Sequence, residues 1–343
     1  MTTTTEPSAH RPSGAGADRL LEVEDLRVEF RTRRGVVHAV NGITYHLDER
    51  ETLAILGESG SGKSVSAQAV MGIIDSPPGF VTGGSIRFRG DDLLAMRPDE
   101  RRRVRGDRIS MIFQDALSAL NPVMSVGWQL DEMLRVHRGA SKRDARRRTL
   151  ELMDRVRIPK ARERVDGYPH EFSGGMRQRI MIAMALALDP DIVIADEPTT
   201  ALDVTVQAQI MQLLKELQDE NGMGLILITH DLGVVADVAD RIVVMYAGSI
   251  VEEAPAHDLY GRPAHPYTRG LMDSIPRLDR GDARLEPIPG APPNLARIPP
   301  GCAFHPRCSF ARDRCREDPP PPYPVDRRRA SACHYWQEVV DAR

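Results

Sequence analysis

The chain has 343 residues, 41% hydrophobic and 28% charged, with a formal net charge of -3. That balance is ordinary for a globular protein and argues against one built mainly to hold a nucleic-acid backbone, so no nucleic-acid partner is expected. No run of about 18 apolar residues occurs, so no segment is expected to cross a bilayer.

Residues 1–18 are rich in Thr, Ser, Gly and Ala and lack the apolar stretch of a secretory signal. They read as a disordered tail, and the chain is expected to stay in the cytoplasm. Leu20–Phe30 alternates apolar and polar residues, with Leu21, Val23, Leu26 and Val28 as inward positions. It reads as a strand, and Val36–Leu47 as a second. Thr52–Leu56 predicts a short apolar strand leading into a glycine-rich turn, Val65–Ile74 a helix, and Ile109–Phe113 another strand. From Ser118 to about Arg164 the pattern is helical and arginine-rich. The runs Arg101–Arg103 and Arg146–Arg148 read as solvated helix faces and not as binding patches. Ile192–Ala195 and Leu225–Thr229 predict buried strands. Ile242–Tyr246 and Ser249–Glu253, separated by Ala247–Gly248, predict a hairpin. Beyond about residue 255 prolines crowd Pro263–Pro324 and periodicity fades, which predicts a separate appendage with little secondary structure.

Gly57-Glu58-Ser59-Gly60-Ser61-Gly62-Lys63-Ser64 fits the P-loop pattern in full, between a predicted strand and a predicted helix. Small residues let backbone N–H groups wrap a polyphosphate, and the helix start adds its positive dipole end. Gly57, Ser59, Gly60, Ser61, Gly62, Lys63 and Ser64 are therefore candidate ATP-binding residues. Lys63 would reach the β- and γ-phosphates, and Ser64 would bind Mg²⁺. Asp191–Glu197 is an apolar strand ending in two carboxylates. Asp196 is a candidate Mg²⁺ ligand, and Glu197 a candidate to orient and polarise the attacking water.

Phe172-Ser173-Gly174-Gly175-Met176-Arg177-Gln178 resembles the signature motif of ABC ATPases, LSGGQ in its usual form, with Phe for Leu and Met for Gln. The resemblance implies that Ser173, Gly174 and Gly175 meet a γ-phosphate. Gln114 resembles the Q-loop glutamine, which senses Mg²⁺ and the attacking water. Thr200-Ala201-Leu202-Asp203 resembles the D-loop, so Asp203 joins the nucleotide-contacting set. His230 resembles the switch histidine. The implied catalytic residues are Glu197, His230 and Gln114, and the implied Mg²⁺ set is Ser64, Gln114 and Asp196. The implied fold is α/β: an ABC ATPase cassette with a RecA-like core, an antiparallel β-subdomain and a helical subdomain. The cassette would span residues 19–260, with the helical subdomain at about 115–180, followed by an extension over 261–343. In the family the signature loop of one subunit completes the ATP site of another, so this chain, with one P-loop and one signature motif, needs a partner. The slot of the usual adenine-stacking aromatic falls near Arg34, with Phe30 or His38 as substitutes.

Tyr168–Arg179, Asp196–Gln209, Thr229–Val235 and Gln114–Pro122 resemble the D-type ATPase subunit of oligopeptide/dipeptide permeases. That resemblance implies peptide import on the cytoplasmic face of the membrane. The implied partners are a second ATPase subunit as heterodimer, two transmembrane permease subunits and an extracytoplasmic substrate-binding protein. Importers of nickel or another small solute are the alternative. Pro266–Leu271, Pro287–Gly290 and Pro292–Leu295 resemble the C-terminal extension of that family. All four cysteines, Cys302, Cys308, Cys315 and Cys333, lie there, spaced C-x5-C-x6-C-x17-C. In a reducing cytosol the cluster suggests a metal site. Zinc sites usually use closer pairs, and some members of the extension family are associated with a [4Fe–4S] cluster. That cluster is the expectation; zinc and free or paired thiols stay open, and His305 and His334 are candidate replacement ligands although four thiols already suffice.

Overall fold

A computed structural model describes residues 19–200, 202–274 and 287–342. The expected tail over residues 1–18 and Ala201 of the D-loop motif lie outside them.

The chain opens with two long strands, β1 (Arg19–Thr32) and β2 (Gly35–Asp48), then β3 (Thr52–Leu56) and helix α1 (Lys63–Met71). Strands β4 (Gly79–Phe88) and β5 (Asp91–Asp92), helix α2 (Pro98–Val104) and strand β6 (Ile109–Ile112) follow. A helical stretch comes next: α3 (Ala116–Ala119), α4 (Val126–Arg138), α5 (Lys142–Arg155), α6 (Ala161–Arg164) and α7 (Gly174–Leu186). The chain then alternates through β7 (Ile192–Asp196), α8 (Val204–Asn221), β8 (Gly224–Thr229) and α9 (Leu232–Val235) to β9 (Arg241–Tyr246) and β10 (Ser249–Pro255). The remainder holds α10 (Ala256–Gly261), α11 (Pro266–Asp273), α12 (Asp313–Glu317), β11 (Tyr323–Pro324), β12 (Ala330–Ser331) and α13 (Trp336–Asp341).

Two sheets face each other. One is antiparallel, in the order β2-β1-β4-β5; the other runs β11-β12-β10-β9-β3-β8-β7-β6. Strands β6, β7, β8, β3 and β9 of the second sheet are mutually parallel. Their near-unbroken apolar sequence follows from burial on both faces. In β3, Leu53 and Ile55 pack toward the antiparallel sheet, while Ala54 and Leu56 join the core on the other face. The same alternation holds in β7 and β8. Leu21, Val23, Leu26 and Val28 are buried as predicted, although a register shift between Val23 and Leu26 interrupts the period at Glu24 and Asp25. Ala247 and Gly248 both take positive φ (49° and 82°), the geometry that a two-residue hairpin turn requires.

The arginine runs are more engaged than a solvated face implies. Arg101 donates to the Ala69 carbonyl at 3.0 Å and so caps the end of α1. Arg146 bridges Asp131 (2.9 Å) and Asp166 (2.7 Å), and Arg148 reaches Asp189 at 3.0 Å.

The proline-rich extension does not stand apart. Strand β12 adds to β10 through the pairs Glu252–Ser331 and Glu253–Ala330. Leu259, Tyr267, Met272 and Phe304 lie in the same apolar cluster as the sheet strands and the helical stretch. Tyr246 of β9 meets Tyr267 at 4.6 Å and the Phe304 edge at 5.2 Å between ring centroids. The expectation of an appendage apart from the cassette is corrected on this point. Periodicity fails where helices are short and prolines frequent, but scattered aromatics still anchor the segment.

Candidate functional site

The parallel strands end at one edge of the sheet. Register pairs Leu56 with Thr229 and Asp196 with Ile228, so the P-loop, the acidic pair and His230 emerge at one level. Gln114 follows β6, which pairs with β7. Gly57 (φ 153°) and Gly62 (φ 101°) turn the chain from β3 into α1. A Cβ at Gly57 would run into the Met245 carbonyl, and one at Gly62 into the Ala39 carbonyl, so the turn also requires their lack of a side chain.

Gly57, Glu58, Ser59, Gly60, Ser61, Gly62, Lys63, Ser64, Gln114, Glu197 and His230 line one open cleft. The Lys63 ammonium donates to the carbonyls of Gly57 (2.7 Å) and Glu58 (3.0 Å). Burial lowers its pKa, opposed by the negative charges of Glu197, Asp196 and Glu58. The Ser64 hydroxyl donates to Asp196 Oδ1 at 2.9 Å. Burial raises the Asp196 pKa, and that hydrogen bond opposes the rise. A bound cation would restore the charge balance of this oxygen pair.

Both oxygens of Glu197 are held. Gln114 Nε2 and the Thr200 hydroxyl donate to Oε2 at 2.9 and 3.0 Å, and His230 Nδ1 lies 3.3 Å from Oε1. Glu197 itself has φ 45°, and its N–H donates to the Ile228 carbonyl at 2.8 Å. Thr200 in this role was not singled out by the sequence, where it is one letter of a degenerate motif.

Ser173, Gly174, Gly175 and Asp203 line a second, separate cleft. Ser173 caps α7 by accepting from the Met176 N–H, and Asp203 caps α8 by accepting from the Val206 N–H at 2.9 Å. Within one chain the two sets of expected nucleotide contacts are therefore not brought together. The candidate adenine contacts also fall elsewhere: neither Arg34, Phe30 nor His38 lines the P-loop cleft. Phe30 packs on the sheet core, and the His38 N–H meets the Leu295 carbonyl. Of the apolar groups that do line the cleft, Val65 comes from α1, and Leu271 and Pro292 come from the extension.

All four cysteines line one small cavity, with His265, His305 and His334 also in its wall. None is in a disulfide. Cys302 donates its N–H to the Cys315 carbonyl at 2.8 Å, tying two of the turns together. Burial pushes the Cys308 thiol up to about 11 and the Cys333 thiol up to about 12. Among the described residues, no group of three or more His, Cys, Asp or Glu closes on a single metal ion. The spacing has thus delivered a shared cavity and not a ready metal-binding group.

A P-loop, an acidic pair and a remote signature loop on this two-sheet frame define an ATP-hydrolysing cassette of the ABC class. The ABC transporter family matches residues 40–200, and the family described as "Oligopeptide/dipeptide transporter, C-terminal region" matches residues 251–315. A protein of Brucella abortus (strain 2308), provisionally named a peptide import ATP-binding protein, is 50% identical over 334 residues, 94% of this chain and 98% of its own. A Brucella suis biovar 1 (strain 1330) protein with the same provisional name is 52% identical over 314 residues, 92% of this chain and 94% of its own. Among solved structures, the ATP-binding cassette MJ0796, a dimer in a post-hydrolysis state with ADP and Pi, superposes with TM-score 0.62 at 30% identity, covering 69% of this chain and 98% of that one. CbiO1 from Clostridium perfringens, part of the ABC transporter complex cbiONQ, gives 0.61 at 29%, covering 71% and 91%. The chain belongs to the ATP-binding subunits of oligopeptide/dipeptide-type ABC transporters. ATPases of this class dimerise and work with a permease, which accounts for a signature loop remote from its own P-loop. No described helix is long and apolar enough to cross a membrane.

Proposed function

We propose that this chain powers peptide import through an ABC transporter by hydrolysing ATP. The observation that carries this reading is the union of an ATPase cleft with an oligopeptide/dipeptide-type C-terminal region, at 50% identity to relatives named for peptide import. The cassette spans 19–260, with its helical subdomain at about 115–180, and the extension 261–343. Its partners are a second ATPase subunit in a heterodimer, two transmembrane permease subunits and an extracytoplasmic substrate-binding protein. It works at the cytoplasmic face of the membrane.

Lys63 and the P-loop N–H groups hold the β- and γ-phosphates. Ser64, Asp196 and Gln114 would hold Mg²⁺, which neutralises phosphate charge when bound. Glu197 accepts a hydrogen bond from the attacking water and aims its oxygen at the γ-phosphorus. Gln114, Thr200 and His230 keep that carboxylate from turning away. Ser173, Gly174 and Gly175, at the start of α7, close on the nucleotide of the partner subunit, with Asp203 beside them. ATP thus favours the closed dimer because it touches both halves only there.

The test is reconstitution of the transporter in vesicles with its binding protein. Peptide-loaded binding protein should stimulate ATP hydrolysis, and peptide should accumulate inside. Stimulation by nickel and not by peptide would move the chain to the small-solute importers.

The four cysteines we assign to a [4Fe–4S] centre, zinc being the alternative. Four unpaired thiols around one cavity support that reading. When bound, the group would supply four metal–thiolate bonds joining the turns that carry Cys302, Cys308, Cys315 and Cys333. It takes no part in hydrolysis. Anaerobic purification should yield about four irons and four sulfides per chain. One zinc would support the alternative, and no metal would remove the assignment. Replacing Cys302 and Cys308 by Ser should abolish the iron content and increase protease cleavage within the extension. Unchanged cleavage would remove the structural role.

A further inference from the structure

The extension reaches the P-loop. Glu58, the second residue of that loop, donates its N–H to the Tyr267 hydroxyl at 2.8 Å. Its carboxylate meets the Arg307 guanidinium on both oxygens, at 2.7 and 3.0 Å. Arg307 is itself fixed. Its Nε donates to the Pro289 carbonyl at 2.9 Å, its side chain is 5% exposed, and it lies over the rings of Tyr246 and Phe304. The paired Glu58 carboxylate raises the Arg307 pKa, so the charge is permanent. Glu58 in turn offers its carbonyl to the Lys63 ammonium. A continuous path therefore runs from the extension through Glu58 to the cation that meets phosphate.

We propose that Arg307, with Tyr267, is a positioning residue for ATP binding, holding Glu58 so that the P-loop is already shaped for phosphate before nucleotide arrives. The physical basis is preorganisation. A glycine-rich loop has many conformations, and ordering it in advance removes an entropic cost from binding. A bidentate guanidinium–carboxylate pair fixes distance and angle together, which a lysine cannot do. The Glu58 carboxylate would by itself repel a polyphosphate, and the pairing also neutralises it. No motif in the sequence marks Arg307, which lies between Cys302 and Cys308, 249 positions from Glu58. The inference rests on ATP binding at the P-loop and is independent of the cargo and of any metal centre.

The experiment compares the full-length chain with R307M, R307K, E58Q, the double variant R307M/E58Q, and R312A as control. Arg312 pairs with Glu338 elsewhere in the extension. The ATP KM and kcat are measured in the transporter assembled with the partner ATPase, and the affinity for MgADP on the chain itself, with folding checked by thermal melting. R307M should raise the ATP KM and weaken MgADP by about tenfold, while kcat stays within about twofold. R307K should lie between R307M and the parent chain, and R312A should match the parent. E58Q should raise KM as R307M does, and the double variant should be no worse than the poorer single one. A merely structural role would lower the melting temperature and the active fraction and leave the KM of the folded protein unmoved. That result, or multiplicative effects in the double variant, would overturn the proposal. If R307M does not fold, E58Q decides: unchanged nucleotide affinity there removes the clamp.

Discussion

Glu197→Gln should lower the ATPase rate by about 10²–10³ while leaving nucleotide binding intact, because only the group that orients water is lost. The phosphate-binding groups are untouched: Lys63 stays on the Gly57 and Glu58 carbonyls, and Ser64 stays paired with Asp196. Glutamine has nearly the shape of glutamate, so the pocket formed by Gln114, Thr200 and His230 still holds it. An amide oxygen is a weaker acceptor than a carboxylate and carries no negative charge, so water is poorly aligned and not polarised. The variant should therefore retain ATP, and in the presence of the partner ATPase it should remain as a closed dimer. Turnover of the assembled transporter and size-exclusion chromatography with ATP check the two halves. Near-parental turnover would transfer the water-orienting role to another group.

Tyr267→Ala should destabilise the whole cassette, by about 3–5 kcal/mol, the range for removing a buried aromatic. Tyr267 is fully buried and packs against Tyr246 of the central sheet and Phe304 of the extension. Its loss opens a cavity where α11 meets β9, between the extension and the strand that flanks the P-loop strand. Tyr267→Phe separates the two contributions. It keeps the packing but leaves the Glu58 N–H without its acceptor, at a cost of about 1–3 kcal/mol. Urea unfolding followed by tryptophan fluorescence and by nucleotide binding measures both. The two probes should shift together in Tyr267→Ala. A shift confined to the extension would mean that it folds independently of the cassette.

The same residues show where the sequence is legible. Strands with apolar runs, the P-loop and the acidic pair after β7 could be read because each depends on local order, while Gln114 and His230 are singled out by resemblance to the Q-loop and switch motifs. A turn of fixed length must follow its strand, and a carboxylate pair must end one. The convergence of Gln114, Thr200 and His230 on the two oxygens of Glu197 could not be read. Thr200 reaches Glu197 within one turn, but Gln114 and His230 reach it only because the ends of β6, β7 and β8 are neighbours, which sheet order and register decide.

The sequence by itself determined the phosphate-binding loop and the acidic pair, since each needs particular groups at short spacing beside one strand, whereas gathering Ser64, Gln114, Asp196 and Glu197 into one site took the sheet. The sequence also gathered four thiols in one stretch. Only the tertiary structure decided what the extension does. Prolines and short helices hide any period, so the sequence suggests a separate appendage, yet β12 extends the central sheet and Tyr267 and Phe304 enter its core. The contact of Arg307 with Glu58 joins residues 249 positions apart, a distance at which sequence pattern carries no signal. Long-range burial and charge pairing settle such contacts only when the whole core is assembled.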